Sequence, residues 1–549
     1  MITDQELDFV REALRMAQDA GAQHARATLS KSEEDLVATL DGEVDRVTHC
    51  ADRSLSLALF VDGRFGSYST NKLDPTALQG FIARAVAATR MVAEDPCRTL
   101  PDPVRCCHDA LTGDELGLVD PSRDALSPAN RRQLALNASV LHSSLHGSQP
   151  LKTSDCVGPH HCASLAVPPL TMPRVARFSE AAAAATLEKG GHGFAGATSP
   201  ATSENGAVET AVGSADRSHP RLRKREGPAS EGSGRGPAQQ DVCRPELPRN
   251  GADFQIISEE GEYSDSIYET VVMDTNGLCC RHSETSFDYG VEITVESDGE
   301  KYSGYWWDAS SRLTELDAPA CGREALARAA GQIGSEPAAS GRYTAVIDAE
   351  MASKLVSPVL RALSGYSIQQ NNSFLMDSLG RQVFPEGLTI LDVPRIPGQT
   401  CSKYFDSEGV ATVEAPVVER GVVKQYFINT YMAAKMQMAP TVEDATRPKV
   451  LPWPVAGLDR DAILRRCGRG ILVTDFNGGN SNPVTGDFSY GIEGYLFEDG
   501  RIVRPVSGML MTGNFLQLWS HLVAAGDDAR PCQTKLVPTL AFGEVDFSG

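Results

Sequence analysis

The sequence has 549 residues, long enough for about three to four domains with sizeable cores. Its 51 Lys and Arg against 72 Asp and Glu give a formal charge of −21, which disfavours nucleic-acid backbones and anionic membrane surfaces as partners. No apolar run reaches the length of a membrane span, the start Met1-Ile2-Thr3-Asp4-Gln5-Glu6 is acidic where a secretion signal is basic, and the 13 cysteines form no C-x-x-C pair. A cytoplasmic protein without a disulfide framework or zinc ribbon is therefore expected.

Leu7, Val10, Leu14 and Ala17 share one face at helical spacing, which predicts a helix over 5–18 with Asp4 near its cap. From Ala27 to Tyr68 the pattern changes to strands turning at Asp41-Gly42 and Asp62-Gly63, dipeptides suited to the positive φ of tight hairpins. Helical spacing returns over 75–93 through Leu78, Ile82, Ala85 and Val86, so residues 1–105 read as the first part of an N-terminal α+β domain. Residues 106–252 read as a low-complexity, mostly disordered insertion, poor in aromatics and rich in Ser, Gly, Pro and Ala from about 149, a composition that cannot offset chain entropy; a helix-like stretch, 128–141, lies before that tract.

Residues 253–335 read as the second part of the N-terminal domain, with strands around Val291–Val295 and Tyr302–Trp307, a hairpin at Asp298-Gly299 and a helix over 323–333. Residues 336–549 read as a curved, barrel-like antiparallel β domain with packed helices. A strand is expected at 343–347, a helix at 351–363 through Met351, Leu355, Val359 and Leu363, and strands at 417–427, 470–476 and 490–503 turning at Arg420-Gly421 and Asp499-Gly500. Further helices are expected at 459–466 and 513–524.

Few motifs in this frame carry chemistry. Gly191-His192-Gly193-Phe194-Ala195-Gly196 has dinucleotide-loop spacing but follows an alanine run where a strand is needed. No G-x-S-x-G elbow or Walker A motif occurs. His142 and His146 are four apart, yet Ser143 stands where a zinc hydrolase needs Glu, and Cys156, His160, His161 and Cys162 add metal-ligand types only inside the insertion. His282, Glu284 and Asp288 suit either an acid/base group or an ion-pair ladder on a solvated strand face. Trp306 and Trp307 must point to opposite sides of a strand, one toward a core and one toward an interface. Asp406, Glu408 and Asp487 lie beside glycines, where turn chemistry and a site explain them about equally well.

Three ordered stretches carry a resemblance: Ser364-Gly365-Tyr366-Ser367-Ile368 through Asn372-Ser373-Phe374-Leu375-Met376-Asp377-Ser378-Leu379-Gly380, then Phe405-Asp406-Ser407-Glu408-Gly409, then Thr485-Gly486-Asp487-Phe488-Ser489-Tyr490-Gly491. Together they resemble the TldD/PmbA family, also called modulator of DNA gyrase, whose members are cytosolic peptidases working as paired subunits. TldD-type chains carry H-E-x-x-x-H on the helix before the Ser-Gly corner, with two zinc-binding histidines and a Glu base, plus a cysteine near the C-terminus. Here that helix reads Leu355-Val356-Ser357-Pro358-Val359-Leu360-Arg361-Ala362, and Cys532 alone cannot make a site.

The resemblance therefore implies the PmbA (TldE) type, a subunit that pairs with a TldD-like metallopeptidase to process peptides. It implies no catalytic residue and no metal bound by this chain, zinc being expected in the partner. It places Thr485, Gly486, Asp487, Phe488 and Ser489, with Asp406 and Glu408, at the cavity shared by partner and peptide substrate. Two alternatives are a stand-alone hydrolase with unrecognised ligands, such as His282 with Glu284, and a non-proteolytic interaction protein.

Overall fold

The computed structural model describes residues 2–146 and 253–549. Helix α1 (Asp4–Asp19) buries Leu7, Val10, Leu14 and Ala17. It begins one residue earlier than expected, because Thr3 and Glu6 form a reciprocal capping box and leave Asp4 inside the first turn. Strands β1 (His24–Leu40), β2 (Glu43–Val61) and β3 (Arg64–Thr70) follow, then α2 (Pro75–Thr89), capped by Asp74. Both expected hairpin turns have two consecutive positive φ angles, 49° and 83° at Asp41-Gly42 and 51° and 72° at Asp62-Gly63, a backbone that matches the twist of the flanking strands.

Beyond residue 252 the chain adds β4 (Gln255–Asp274), β5 (Cys279–Ser297) and β6 (Glu300–Ser310) to the same sheet, whose order is β3-β2-β1-β4-β5-β6. β1 and β4 pair from Arg26 opposite Asp274 to Leu40 opposite Glu260, so the sheet is continuous although more than two hundred residues of sequence separate those strands. Helices α1 and α2 cover one end, over Leu29, Leu55, Leu57, Leu59 and Val271. Helices α3 (Pro128–Asn137), α4 (Val140–His146) and α5 (Ala318–Gly331) lie at the other, with Tyr263, Phe287, Tyr289 and Trp307 in its core.

The start of the expected insertion is folded. Residues 106–146 bury Cys106, Cys107, Leu116, Leu118, Leu126 and Leu134, and the amides of Arg281, Ser283 and Thr285 on β5 bond the carbonyls of Ala110, Gly113 and Leu118. Cys106 also bridges Val410 in the C-terminal region, so this strap joins both halves of the molecule. Over 106–127 its irregular path leaves no period-2 or period-3.6 pattern to read, whereas α3 falls within the helix-like stretch expected at 128–141. The remaining residues of the expected insertion, including the Gly191–Gly196 motif, Cys156, His160, His161 and Cys162, lie outside the described residues.

The C-terminal half contains β7 (Gly341–Ile347), α6 (Ser353–Ala362), α7 (Gly365–Gln369), β8 (Ile390–Asp392), β9 (Ala415–Glu419), β10 (Val422–Val423), α8 (Thr430–Met436) and β11 (Pro448–Val450). These are followed by α9 (Arg460–Cys467), β12 (Gly470–Ser481), β13 (Asp487–Glu498), β14 (Arg501–Asn514), α10 (Phe515–Ser520), β15 (Leu522–Ala525) and β16 (Leu540–Ser548). The main sheet runs β14-β13-β12-β7-β16-β15, and β14 also pairs with β16, closing five strands into a barrel. The fold is thus α+β as expected, with one parallel pair, β7 beside β12. Leu355, Val356 and Val359 seat α6 on the barrel core.

Three expectations change. The predicted helix over 513–524 is the short α10 followed by β15, because Leu522, Ala524 and Ala525 pair with β16. The predicted strand over 417–427 contracts to β9 and β10 in a small four-stranded sheet. Trp306 and Trp307 are both buried, since Arg328 of α5 lies 4.0 Å over the Trp306 ring and Arg530 from the C-terminal half lies 5.4 Å from it. Among the described residues no helix is long and apolar enough to cross a membrane.

Candidate functional site

Helix α6 has two faces set by its spacing. Leu355, Val356 and Val359 turn inward, while Ser353, Lys354, Ser357, Pro358 and Arg361, at three- and four-residue intervals, line a cavity of about 680 Å³. The facing wall is the end of the β12–β13 hairpin, residues Gly479–Pro483. Phe374, Tyr490 and Phe515 supply apolar surface, and Gln533, Thr534 and Lys535 close the cavity from the loop before β16. Gln533 is buried and donates from Nε2 to the Glu350 carbonyl at 3.1 Å, while its Oε1 has no partner among the described residues.

Gly486 and Phe488, expected at a cavity shared with a partner, stand behind the wall of this one. Phe488 stacks 5.4 Å from Tyr490 and lies 4.9 Å from Phe515. Gly486 is buried at φ +79°, its carbonyl accepts the Phe515 amide at 2.8 Å, and a Cβ there would meet the Phe374 ring at 3.1 Å. A side chain at 486 would therefore strain the turn itself, and the position cannot report on peptide contact alone. Asp487 is exposed and takes hydrogen bonds from Asn514 Nδ2 at 3.0 Å and Thr485 Oγ1 at 2.6 Å, which hold its carboxyl below the usual range. That is turn chemistry. Thr485 is exposed and Ser489 half-buried on the same hairpin, and the cavity wall is formed by the residues just before them, not by Thr485–Ser489.

Asp406 and Glu408 belong to a separate place, the turn where the strap meets the C-terminal half. Asp406 Oδ1 accepts the amides of Glu408 and Val410 at 2.9 and 3.0 Å, and Oδ2 accepts the Glu443 amide at 3.1 Å. Burial, then the neighbouring Glu443 and Glu408 carboxylates, push its pKa up to about 7. Glu408 Oε2 accepts from the Thr430 amide and hydroxyl at 2.9 and 2.7 Å. Neither residue lines the cavity.

His282 and Glu284 meet on β5, Nε2 to Oε2 3.7 Å, as a strand ladder. Glu284 is buried, so the solvated face expected there is covered. Asp288 accepts from Ser286 Oγ at 2.9 Å. His142 Nδ1 donates to the Gly42 carbonyl at 3.0 Å, which fixes the ring to a hairpin. Cys532 is buried and accepts from Arg530 Nη2 at 3.4 Å, and it does not line the cavity.

No His, Cys, Asp or Glu lines the cavity, so its donor set does not fit zinc. Among the described residues the grouping spaced for a metal is Glu33, Asp35 and His49, whose carboxylates already pair with Arg123 and Arg131. The cavity-lining cations missed by sequence reading are Lys354, Arg361 and Lys535. The first two had a legible signal, the polar face of the 351–363 period; Lys535 had none.

Three family models match in chain order: PmbA/TldA metallopeptidase domain 1 over 25–89, the central domain over 244–333 and the C-terminal domain over 340–549, together about two thirds of the chain. The metalloprotease PmbA of Escherichia coli O157:H7 is 27% identical over 298 residues, 53% of this chain and 66% of that protein. The PmbA homologue of Haemophilus influenzae is 29% identical over 303 residues, 55% of this chain and 65% of that protein. The chain thus spans about two thirds of the length of these relatives. A Bacteroides thetaiotaomicron structure described as a modulator of DNA gyrase is similar at TM-score 0.75 and 29% identity, with both chains covered fully. TldE from Thermococcus kodakarensis shares the fold at TM-score 0.68 and 15% identity, covering 98% of this chain and 100% of that one. With three domain models in order and a shared fold along its length, the chain belongs to the PmbA/TldD metallopeptidase family.

Proposed function

We propose that this chain is the PmbA/TldE-type subunit of a two-chain metallopeptidase, holding peptides beside a TldD-type partner that carries the zinc and the chemistry. The observation that carries the reading is the cavity face of α6. It offers Ser353, Lys354, Ser357 and Arg361, none of which supplies the imidazole, thiolate or carboxylate of a catalytic zinc site. The names of similar proteins, a TldE structure and a TldD homologue from Buchnera aphidicola, support the pairing.

Metal analysis and peptide cleavage on the purified, tag-free chain, with and without a TldD-type chain, test it. The expected result is no stoichiometric zinc and no cleavage by the chain alone, with cleavage in the pair. One equivalent of zinc on the isolated chain, lost together with activity on chelation, would sink the reading.

A further inference from the structure

The chain carries a formal charge of −21, yet the cavity beside α6 is lined by Lys354, Arg361 and Lys535 and by no carboxylate. Lys354 has the Asp475 carboxylate nearby to balance it. Arg361 and Lys535 have no side-chain ion pair or hydrogen bond among the described residues, and they approach from two segments far apart in sequence. Two uncompensated cations within one concave space raise the local concentration of anions, and a guanidinium adds a planar fork matched to a carboxylate. The volume of about 680 Å³ lies within the range of small-ligand sites.

Two further features select the ligand. Phe374, Tyr490 and Phe515 provide apolar surface next to the cations, as a peptide side chain requires. Gln533 Oε1, buried and without a partner among the described residues, is an acceptor waiting for a donor such as a peptide N–H. We propose that this cavity binds a peptide through a carboxylate, with Arg361 and Lys535 as the anion's partners; the proposal rests on the peptide-holding role given above. The carboxylate has two sources, the α-carboxylate of a peptide end and an acidic side chain.

Calorimetry on the full chain with three acetylated six-residue peptides of Ala, Leu and Ser separates them: one amidated and neutral, one with a free α-carboxylate, and one amidated with Glu in the last position. At least one carboxylate-bearing peptide should bind about tenfold or more tighter than the neutral amide, and which one does so names the source. Arg361→Gln and Lys535→Gln should each remove that preference while leaving the thermal melt unchanged. Equal binding of all three peptides, an intact preference in both variants, or no binding by any peptide overturns the proposal. Cleavage of the neutral amide by the pair with a TldD-type chain reads the pairing role separately, so the two ideas can fail independently.

Discussion

The junction between the long sheet and the C-terminal half, and the cavity beside α6, both hold cations but treat them in opposite ways. At the junction Arg530 is 4% exposed and pairs with Glu350, which is fully buried. Likewise Arg123 of the strap and Arg131 of α3 converge on buried Asp265 of β4 at 3.1 and 2.6 Å. In the cavity Arg361 is exposed and Lys535 half-buried, with no carboxylate supplied by the lining. A desolvated charge must find its counter-charge within the chain, whereas one at a wet wall is free to take it from outside. Similar side chains therefore hold the fold together in one region and stand without an internal counter-charge in the other.

The comparison breaks most visibly at Glu350. Glu350→Ala leaves Arg530 buried without its counter-charge and should destabilise the protein by about 3–5 kcal/mol in denaturant unfolding. Replacing both members, Glu350→Leu with Arg530→Met, should recover most of that loss, since two apolar groups need no counter-charge. A double variant as unstable as the single one would mean that packing rather than pairing sets the cost.

A smaller effect is expected at the strap turn, where like charges meet instead of opposite ones. The folded-state pKa of Asp406 is raised to about 7 from its ordinary value of 3.8, so the folded chain binds the extra proton. This group's contribution to stability is therefore full below about pH 4 and is lost as pH rises through about 7. Glu443→Gln removes one of the two neighbouring carboxylates while keeping an acceptor for Ser407 Oγ. The variant should gain about 1 kcal/mol over wild type at pH 8 and little at pH 4. Melting temperatures at the two pH values check this, and a gain of equal size at both would contradict the assignment.

The smallest effect sharpens the cavity side. Arg361→Gln and Lys535→Gln, at positions where the chain supplies no partner, should change unfolding free energy by less than about 0.5 kcal/mol. A loss of several times that amount at either position would class it with Arg530 as a structural cation.

By itself the sequence determined what a few consecutive residues can dictate. Asp41-Gly42, Asp62-Gly63, Asp298-Gly299 and Asp499-Gly500 all adopt the positive φ pairs that their chemistry favours, and α1, α2 and α6 lie where apolar spacing predicted them. The three motifs around Ser364, Phe405 and Thr485 identified the family, but they did not place the cavity residues. Only the tertiary structure decided that Asp406 and Glu408 sit at the strap turn, that Gly486 and Phe488 stand behind the wall, and that Lys535 and Arg361 line the same cavity. The same holds for the strap over 106–146 and for the closure of β14 on β16. The reason is physical: a turn or a helix face is set by torsions and spacing within a few residues, whereas a cavity wall is set by which distant surfaces pack and which charges that packing leaves wet.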